Sequence, residues 1–403
     1  MTDEDLLARR VRRGHSNAVR DILAAASAPG VLSMAGGLPA PDSFPVAELT
    51  EVIDQVMRKV PNSLQYGPVD GVPALREIIA ARASASSAPV DPARVLIVSG
   101  SQQGLDLVAR VLLDEGDSVA LDDPSYVGAI ETFRQAGAEL APVPSDEDGM
   151  ETQVLAEQLR RGLRPKLVYV VPHFHNPSGA VLSEQRRRHL AELADRYGFL
   201  IVEDDPYADL SFDGVRLPSA AVHTGRVVRL LSLSKTLCPG FRVAGMVAPA
   251  WLGPRLTAVK QCADVQTNTF GQYVVAGLLS RPGFLEKHVA GLATLYRTRA
   301  ERLSALVAER VPGLSFTPPR GGLYFWCTIL DQALDAETFT TAALANGVAV
   351  VPGSPFCIER DGSRYLRLSY ATLSPAETVA AVDRLALTFE RGATRPVAVG
   401  GPA

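Results

Sequence analysis

Residues 167–207 read LVYVVPHFHNPSGAVLSEQRRRHLAELADRYGFLIVEDDPY. Two short apolar runs, LVYVV and FLIVED, bracket a polar loop and a stretch whose apolar residues Leu190, Leu193, Ala194 and Tyr197 recur at three- and four-residue spacing. That is the pattern of strand, helix, strand. Ser183 stands where a helix N-cap belongs and Gly198 where a helix ends on a left-handed residue. The spacing therefore predicts a helix opened by Ser183 and closed by Gly198. Runs apolar at every position belong to strands buried on both faces, as in a parallel sheet.

The same rhythm extends outward on both sides. RVLIV (Arg94–Val98) precedes the helical QQGLDLVARVLL, SVALD (Ser118–Asp122) precedes a helix from Ser125 to Ala136, and VVRLLSLS starts at Val227. The predicted fold class is α/β: a large domain with a mostly parallel central sheet covered by helices, plus a smaller α+β domain. The texture changes after Asn268, where GFLEKHVAGLATLYRTRAERLSALVAERV reads as one long helix leading into mixed structure ending near Glu390. The expected division is an arm over 1–45, a large domain over 46–285, a small domain over 286–390 joined by the arm, and a frayed tail over 391–403.

Composition narrows the function classes. The 403 residues are 47% hydrophobic and 21% charged, enough to build a sizeable core. Forty basic against forty-four acidic residues leave a net charge of -4, which argues against a chain built to bind nucleic acid or anionic lipid. No apolar run approaches the roughly 20 residues of a membrane helix. Arg9, Arg10, Arg12 and Arg13 lack a following apolar stretch and read as a solvated basic helix end, not a targeting signal. The four cysteines form no CxxC pair, which points to reduced thiols and a cytoplasmic protein. The six histidines show no metal-ligand spacing, so no metal is expected.

Ligands of open α/β sheets bind beyond the carboxyl ends of the strands. After RVLIV comes Ser99-Gly100-Ser101-Gln102, small residues opening a helix, which suits a phosphate but is common on its own. After LVYVV comes Pro172 to Gly179, after FLIVE come Asp204 and Tyr207, and after VVRLL come Ser232, Ser234 and Lys235, then Pro239 to Arg242. A lysine ending an apolar run is costly unless it is neutral, paired or covalently engaged. A lysine for an aldehyde, an acid for a ring nitrogen, and an arginine plus a helix start for a phosphate are the parts that pyridoxal 5'-phosphate requires.

With these residues in view, the chain resembles fold-type I pyridoxal-phosphate enzymes of the class I/II aminotransferase family, on the branch with 2-aminoadipate and kynurenine aminotransferases. The matching pieces run in family order from about residue 20 to 372: AGGLPAPDSFP, LQYGPVDGVPALRE, SGSQQGLDL, DDPSYVGA, HFHNPSG, EDDPY, SLSKTLCPGFRVAG, PRGGLYFW, VPGSPF and YLRLSYA. The resemblance implies an amino-group transfer between an L-amino acid and a 2-keto acid in two half-reactions. It implies that Lys235 forms the Schiff base and shuttles the proton, that Asp204 pairs with the pyridine nitrogen, and that Tyr207 and Asn176 bond the phenolic oxygen. Ser101, Gln102, Ser232, Ser234 and Arg242 match phosphate ligands, and Tyr126 matches the aromatic stacked on the ring. Arg367 matches the clamp on the substrate α-carboxylate, Gly37 a glycine beside that carboxylate, and Tyr66 a tyrosine serving the neighbouring subunit's phosphate. A homodimer with shared sites follows.

The asparagine motif of the family reads FQNPTG, whereas this chain has FHNPSG, with His175 and Ser178 substituted and His173 nearby. These histidines either tune the ring or are hydrogen-bonded supports. An alternative enzyme reading keeps the site and diverts the chemistry to elimination, replacement, decarboxylation, cyclisation or oxidation. The effector part of a transcription regulator is a third reading, disfavoured because about thirty residues precede AGGLP, fewer than the roughly 60 of a winged-helix module.

Overall fold

Val95–Val98, Leu200–Asp204 and Val227–Ser232 are buried along their whole length in the computed structural model, as strands covered by helices on both faces must be. The structure describes residues 6–8, 24 and 26–391. The basic stretch at Arg9–Arg13 and the tail beyond Arg391 lie outside the described residues.

The strands are β1 (Leu32–Ser33), β2 (Val95–Val98), β3 (Ser118–Asp123), β4 (Glu139–Asp146), β5 (Gly149–Met150), β6 (Pro165–Val170), β7 (Leu200–Asp204), β8 (Val227–Ser232), β9 (Ala244–Val247), β10 (Leu314–Phe316), β11 (Tyr324–Ile329), β12 (Val348–Ala349), β13 (Val351–Pro352) and β14 (Tyr365–Ser369). The large sheet has the order β2-β9-β8-β7-β6-β3-β4-β5. Pairings among β8, β7, β6, β3 and β4 are all parallel. The short β9 runs antiparallel to both β2 and β8, and β5 is a hairpin return from β4. The second sheet, β10-β11-β14-β13, is antiparallel. The helices Ala336–Ala345 and Pro375–Glu390 pack with this part of the chain. The last begins with Pro375 behind a reciprocal Ser374/Glu377 capping box, two orphan amides satisfied at once.

The structure differs from the sequence reading at particular points. The helix expected from Ser125 runs Val127–Gln135, with Tyr126 as its extended N-cap. Ser183 does occupy the N-cap position of the helix Glu184–Tyr197, but its side chain makes no capping bond; Gly198 closes that helix at φ 83°. The segment before Ser43 contains β1, which pairs in parallel with β12 beside the small sheet. The strand β9 begins inside RVAG, a motif legible in sequence only as chemistry. Because β9 runs backwards, Arg242 at its start sits at the same sheet edge as the residues that follow β2, β7 and β8. Among the described residues no helix is long and apolar enough to cross a membrane.

Candidate active site

A cavity of about 550 Å³ opens at the carboxyl ends of the parallel strands. Its lining includes Gly37, Ser101, Gln102, Tyr126, Asn176, Asp204, Tyr207, Ser232, Ser234, Lys235, Arg242 and Arg367. Every candidate residue named from the sequence is therefore in one place except Tyr66, which is 79% exposed and away from this cavity. His173 and His175 do not line it either. His173 Nδ1 lies 3.0 Å from Asp205 Oδ1, and His175 Nδ1 lies 2.9 Å from Ser178 Oγ. Burial pushes the His175 pKa down to about 3, so it is neutral at physiological pH.

Each side chain is placed by the end of an element. Lys235 follows β8, and its Nζ donates to the Gly37 carbonyl at 2.7 Å. The turn is held from below, where Thr236 Oγ1 donates to Asp209 Oδ2 and His288 Nε2 lies 2.7 Å from the Thr236 carbonyl. Asp204 ends β7 and is buried. Burial raises its pKa to about 6, outweighing the opposing pull of nearby polar groups such as the Tyr169 hydroxyl and of the Lys235 charge. Tyr169 donates to Oδ2 at 3.3 Å, while Oδ1 is buried with no hydrogen-bond partner.

The helix Ser101–Leu112 starts on Gly100 at φ +83°, and a Cβ there would sit 2.4 Å from Arg242 Nη2. Glycine is needed both for the backbone angle and for the approach of the guanidinium. Arg242 Nη2 donates to the Ser99 carbonyl at 3.0 Å, and Nη1 donates to Ser234 Oγ at 3.5 Å. Gln102 turns its amide to Thr132 Oγ1, 2.7 Å away. The result is a cationic group, serine hydroxyls and a helix N-terminus gathered around one spot, a donor set that favours an anion.

Arg367, in the middle of the small sheet, is buried. Its Nη1 donates to Asn176 Oδ1 at 2.9 Å and its Nη2 to the Ala35 carbonyl at 2.7 Å. Its guanidinium carbon lies 4.4 Å from the Tyr324 ring centre and 4.8 Å from the Phe356 ring centre. Gly37 meets the same tyrosine: a Cβ there would land 1.6 Å from Tyr324 Oη. Tyr324 and Tyr169 also line the cavity, and the sequence reading did not single them out. Tyr324 was visible only inside PRGGLYFW; the signal for Tyr169 was a hydroxyl in the otherwise apolar run LVYVV.

These residues fit pyridoxal phosphate. The unpartnered buried oxygen of Asp204 suits a protonated ring nitrogen, and the unpartnered Ser101 Oγ suits a phosphate oxygen.

Comparison with known proteins agrees with this geometry. The family model described as aminotransferase class I and II matches residues 38–385. A 2-aminoadipate transaminase of Thermus thermophilus is 39% identical, over 93% of this chain and 94% of the relative. An aromatic-amino-acid aminotransferase of Thermococcus litoralis is 35% identical, over 92% and 91%. The crystal structure of a Thermus thermophilus α-aminoadipate aminotransferase, complexed with N-(5'-phosphopyridoxyl)-L-leucine, superposes with a TM-score of 0.90 at 36% identity, covering 97% of this chain and 99% of that one. Similarity that strong along nearly the whole length makes this chain a member of the class I and II aminotransferases, the fold-type I enzymes that transfer amino groups with pyridoxal phosphate.

Proposed function

We propose that this aminotransferase works through Lys235, with Asp204, Tyr207 and Arg367 as its principal partners, on an L-amino acid and a 2-keto acid. The observation that carries the assignment is the convergence of twelve sequence-named residues on one cavity. Pyridoxal phosphate, when bound, supplies an aldehyde that takes up an amino group and a ring that draws electrons from the bonds at the substrate Cα. Lys235 Nζ, held by a neutral carbonyl, is the group that takes the Cα proton and returns it. Asp204 holds the proton on the ring nitrogen. Asn176 commits its Oδ1 to Arg367, leaving its amide N–H to donate to the cofactor's phenolic oxygen alongside the Tyr207 hydroxyl. Ser101, Gln102, Ser232, Ser234 and Arg242 hold the phosphate, and Tyr126 covers the ring. The test of the reaction is the loaded enzyme against an amino-acid panel, with and without an acceptor 2-keto acid. Mass spectrometry should find the matching keto acid and a newly aminated acceptor; products without acceptor turnover would reject transamination.

Arg367 acts on substrate. Arg367→Ala removes two charge-assisted bonds to the α-carboxylate, each worth about 1.5–3 kcal/mol. Amino acids should then bind far more weakly, while the decarboxylated amines lose little. Equal weakening of an amino acid and its amine would mean that Arg367 is not the clamp.

A homodimer with shared sites belongs to the same proposal. Val46, Ile53 and Met57 are exposed along one face of the helix Val46–Lys59, and Leu64 and Tyr66 are exposed just beyond it. An apolar face of this kind suits an isologous contact, with Tyr66 offered to the partner's phosphate site. Sedimentation should give a dimer; a fully active monomer at assay concentration would refute it. The domain division at about residues 45 and 285, and a cytoplasmic location, are part of the reading, the latter supported by four free cysteines.

A further inference from the structure

Arg367 must present a flat fork to a carboxylate, so the plane of its guanidinium matters as much as its position. Two aromatic rings flank it: the first, with its centre 4.4 Å from the guanidinium carbon, is that of Tyr324 on the neighbouring strand β11. The second ring, with its centre 4.8 Å from the same carbon, is that of Phe356, which does not belong to a long element. It sits in a single helical turn, Ser354–Phe356, followed by an irregular loop. What fixes that loop comes from the other sheet. Asp123, the last residue of β3, is buried, and its carboxylate accepts from three consecutive amides: Ile358 N at 3.0 Å, Glu359 N at 3.0 Å and Arg360 N at 2.9 Å. Two residues on, Ser125 N donates to the Phe356 carbonyl at 2.7 Å.

We infer that Asp123 is a positioning residue for substrate binding: it ties the 356–360 loop to the large sheet and thereby holds the Phe356 ring against Arg367. The inference rests on the reading of Arg367 as the carboxylate clamp. Asp123 itself does not line the cavity and touches no reacting atom. Three amide donors converging on one buried carboxylate form a firm attachment, since each hydrogen bond to an ionised acceptor is stronger than one to a neutral group and removing the acceptor releases all three at once. Next to Asp123, Tyr126 lines the cavity, so one strand end places both the aromatic of the ring site and the anchor of the clamp. Through Asp123 the large sheet sets the orientation of an arginine carried by the small one.

The experiment uses the loaded enzyme and three variants: Asp123→Ala, Asp123→Asn and Phe356→Leu. The last keeps apolar bulk but removes the ring face. Single-turnover rates are measured with the best amino acid of the panel and with its decarboxylated amine. Equilibrium titration with 3-phenylpropionate, a monocarboxylate, gives a readout that needs no turnover. Misplacing the clamp by about an ångström should raise the half-saturating amino-acid concentration on the order of 10- to 100-fold, with the saturating rate little changed. Carboxylate binding should weaken in parallel, the amine should be unaffected, and Asp123→Asn should fall between Asp123→Ala and the unaltered enzyme. Equal loss with amino acid and amine, or unchanged carboxylate binding in Phe356→Leu, overturns the inference. If Asp123→Ala does not fold, Asp123→Asn and Phe356→Leu decide together, and unchanged carboxylate binding in either overturns the inference. Should Arg367→Ala itself fail to separate amino acid from amine, it is the clamp reading that falls.

Discussion

Replacing Lys235 with alanine will leave a folded protein whose amino-transfer rate is lower by at least about 10²–10⁴-fold, the contribution of one positioned acid–base group. The expectation follows from where the amine sits. Lys235 stands at the carboxyl end of β8 on a turn held by Asp209 and His288, and its Nζ donates to a neutral carbonyl. An amine held that way is easily released to react. Lys235→Arg should be as inactive as Lys235→Ala, because a guanidinium keeps the charge but does not give up its proton near neutral pH. The check is single-turnover kinetics, with unchanged thermal denaturation as the folding control. Substantial activity in Lys235→Arg would mean that only the positive charge matters.

Asp204→Asn should slow proton removal from every substrate on the order of 10²–10³-fold, as the loss of a preorganised electrostatic partner does. The phosphate ligands and Lys235 remain, so the cofactor still binds. A pH effect accompanies this. Burial raises the Asp204 pKa to about 6, so in the cofactor-free chain the carboxylate is protonated below that pH and ionised above it. Only the ionised form stabilises a protonated ring nitrogen. Cofactor affinity should therefore rise with pH through about 6, and Asp204→Asn should lack that part of the rise. Titrating both apoproteins with pyridoxal phosphate at several pH values separates this from the phosphate's own ionisation, which both share. Identical pH profiles would remove Asp204 from the ring nitrogen.

The α/β architecture was legible because both strand types of signal were strong: continuous apolar runs for β6, β7 and β8, and a helix-period segment between them closed by Gly198. The residues after those runs were legible for the same reason, since strand ends at one sheet edge share a crevice. β9 was not, because four residues of AGMV carry no alternation and nothing local tells an antiparallel strand from a parallel one. That strand nevertheless decides the position of Arg242. Ser183 shows the limit of capping rules: the position was right and the side-chain bond is absent. Tyr324 and Asp123 were not legible because what sets them apart is contact with residues far away in sequence, Gly37 and Arg367 for Tyr324 and the amides of 358–360 for Asp123. Tyr66 is exposed and outside the cavity, so the role proposed for it at a partner's phosphate site needs a second chain to be tested.

The most direct test of the cavity as the cofactor site is chemical. The chain has five lysines, Lys59, Lys166, Lys235, Lys260 and Lys287. Lys260 is fully buried and paired with Asp264 at 2.7 Å, which makes it a natural internal control. Borohydride reduction of the loaded enzyme, followed by peptide mapping, should place a single pyridoxyl adduct on Lys235. An adduct on Lys260, Lys287 or any other lysine, with Lys235 unmodified, would contradict the assignment of the site.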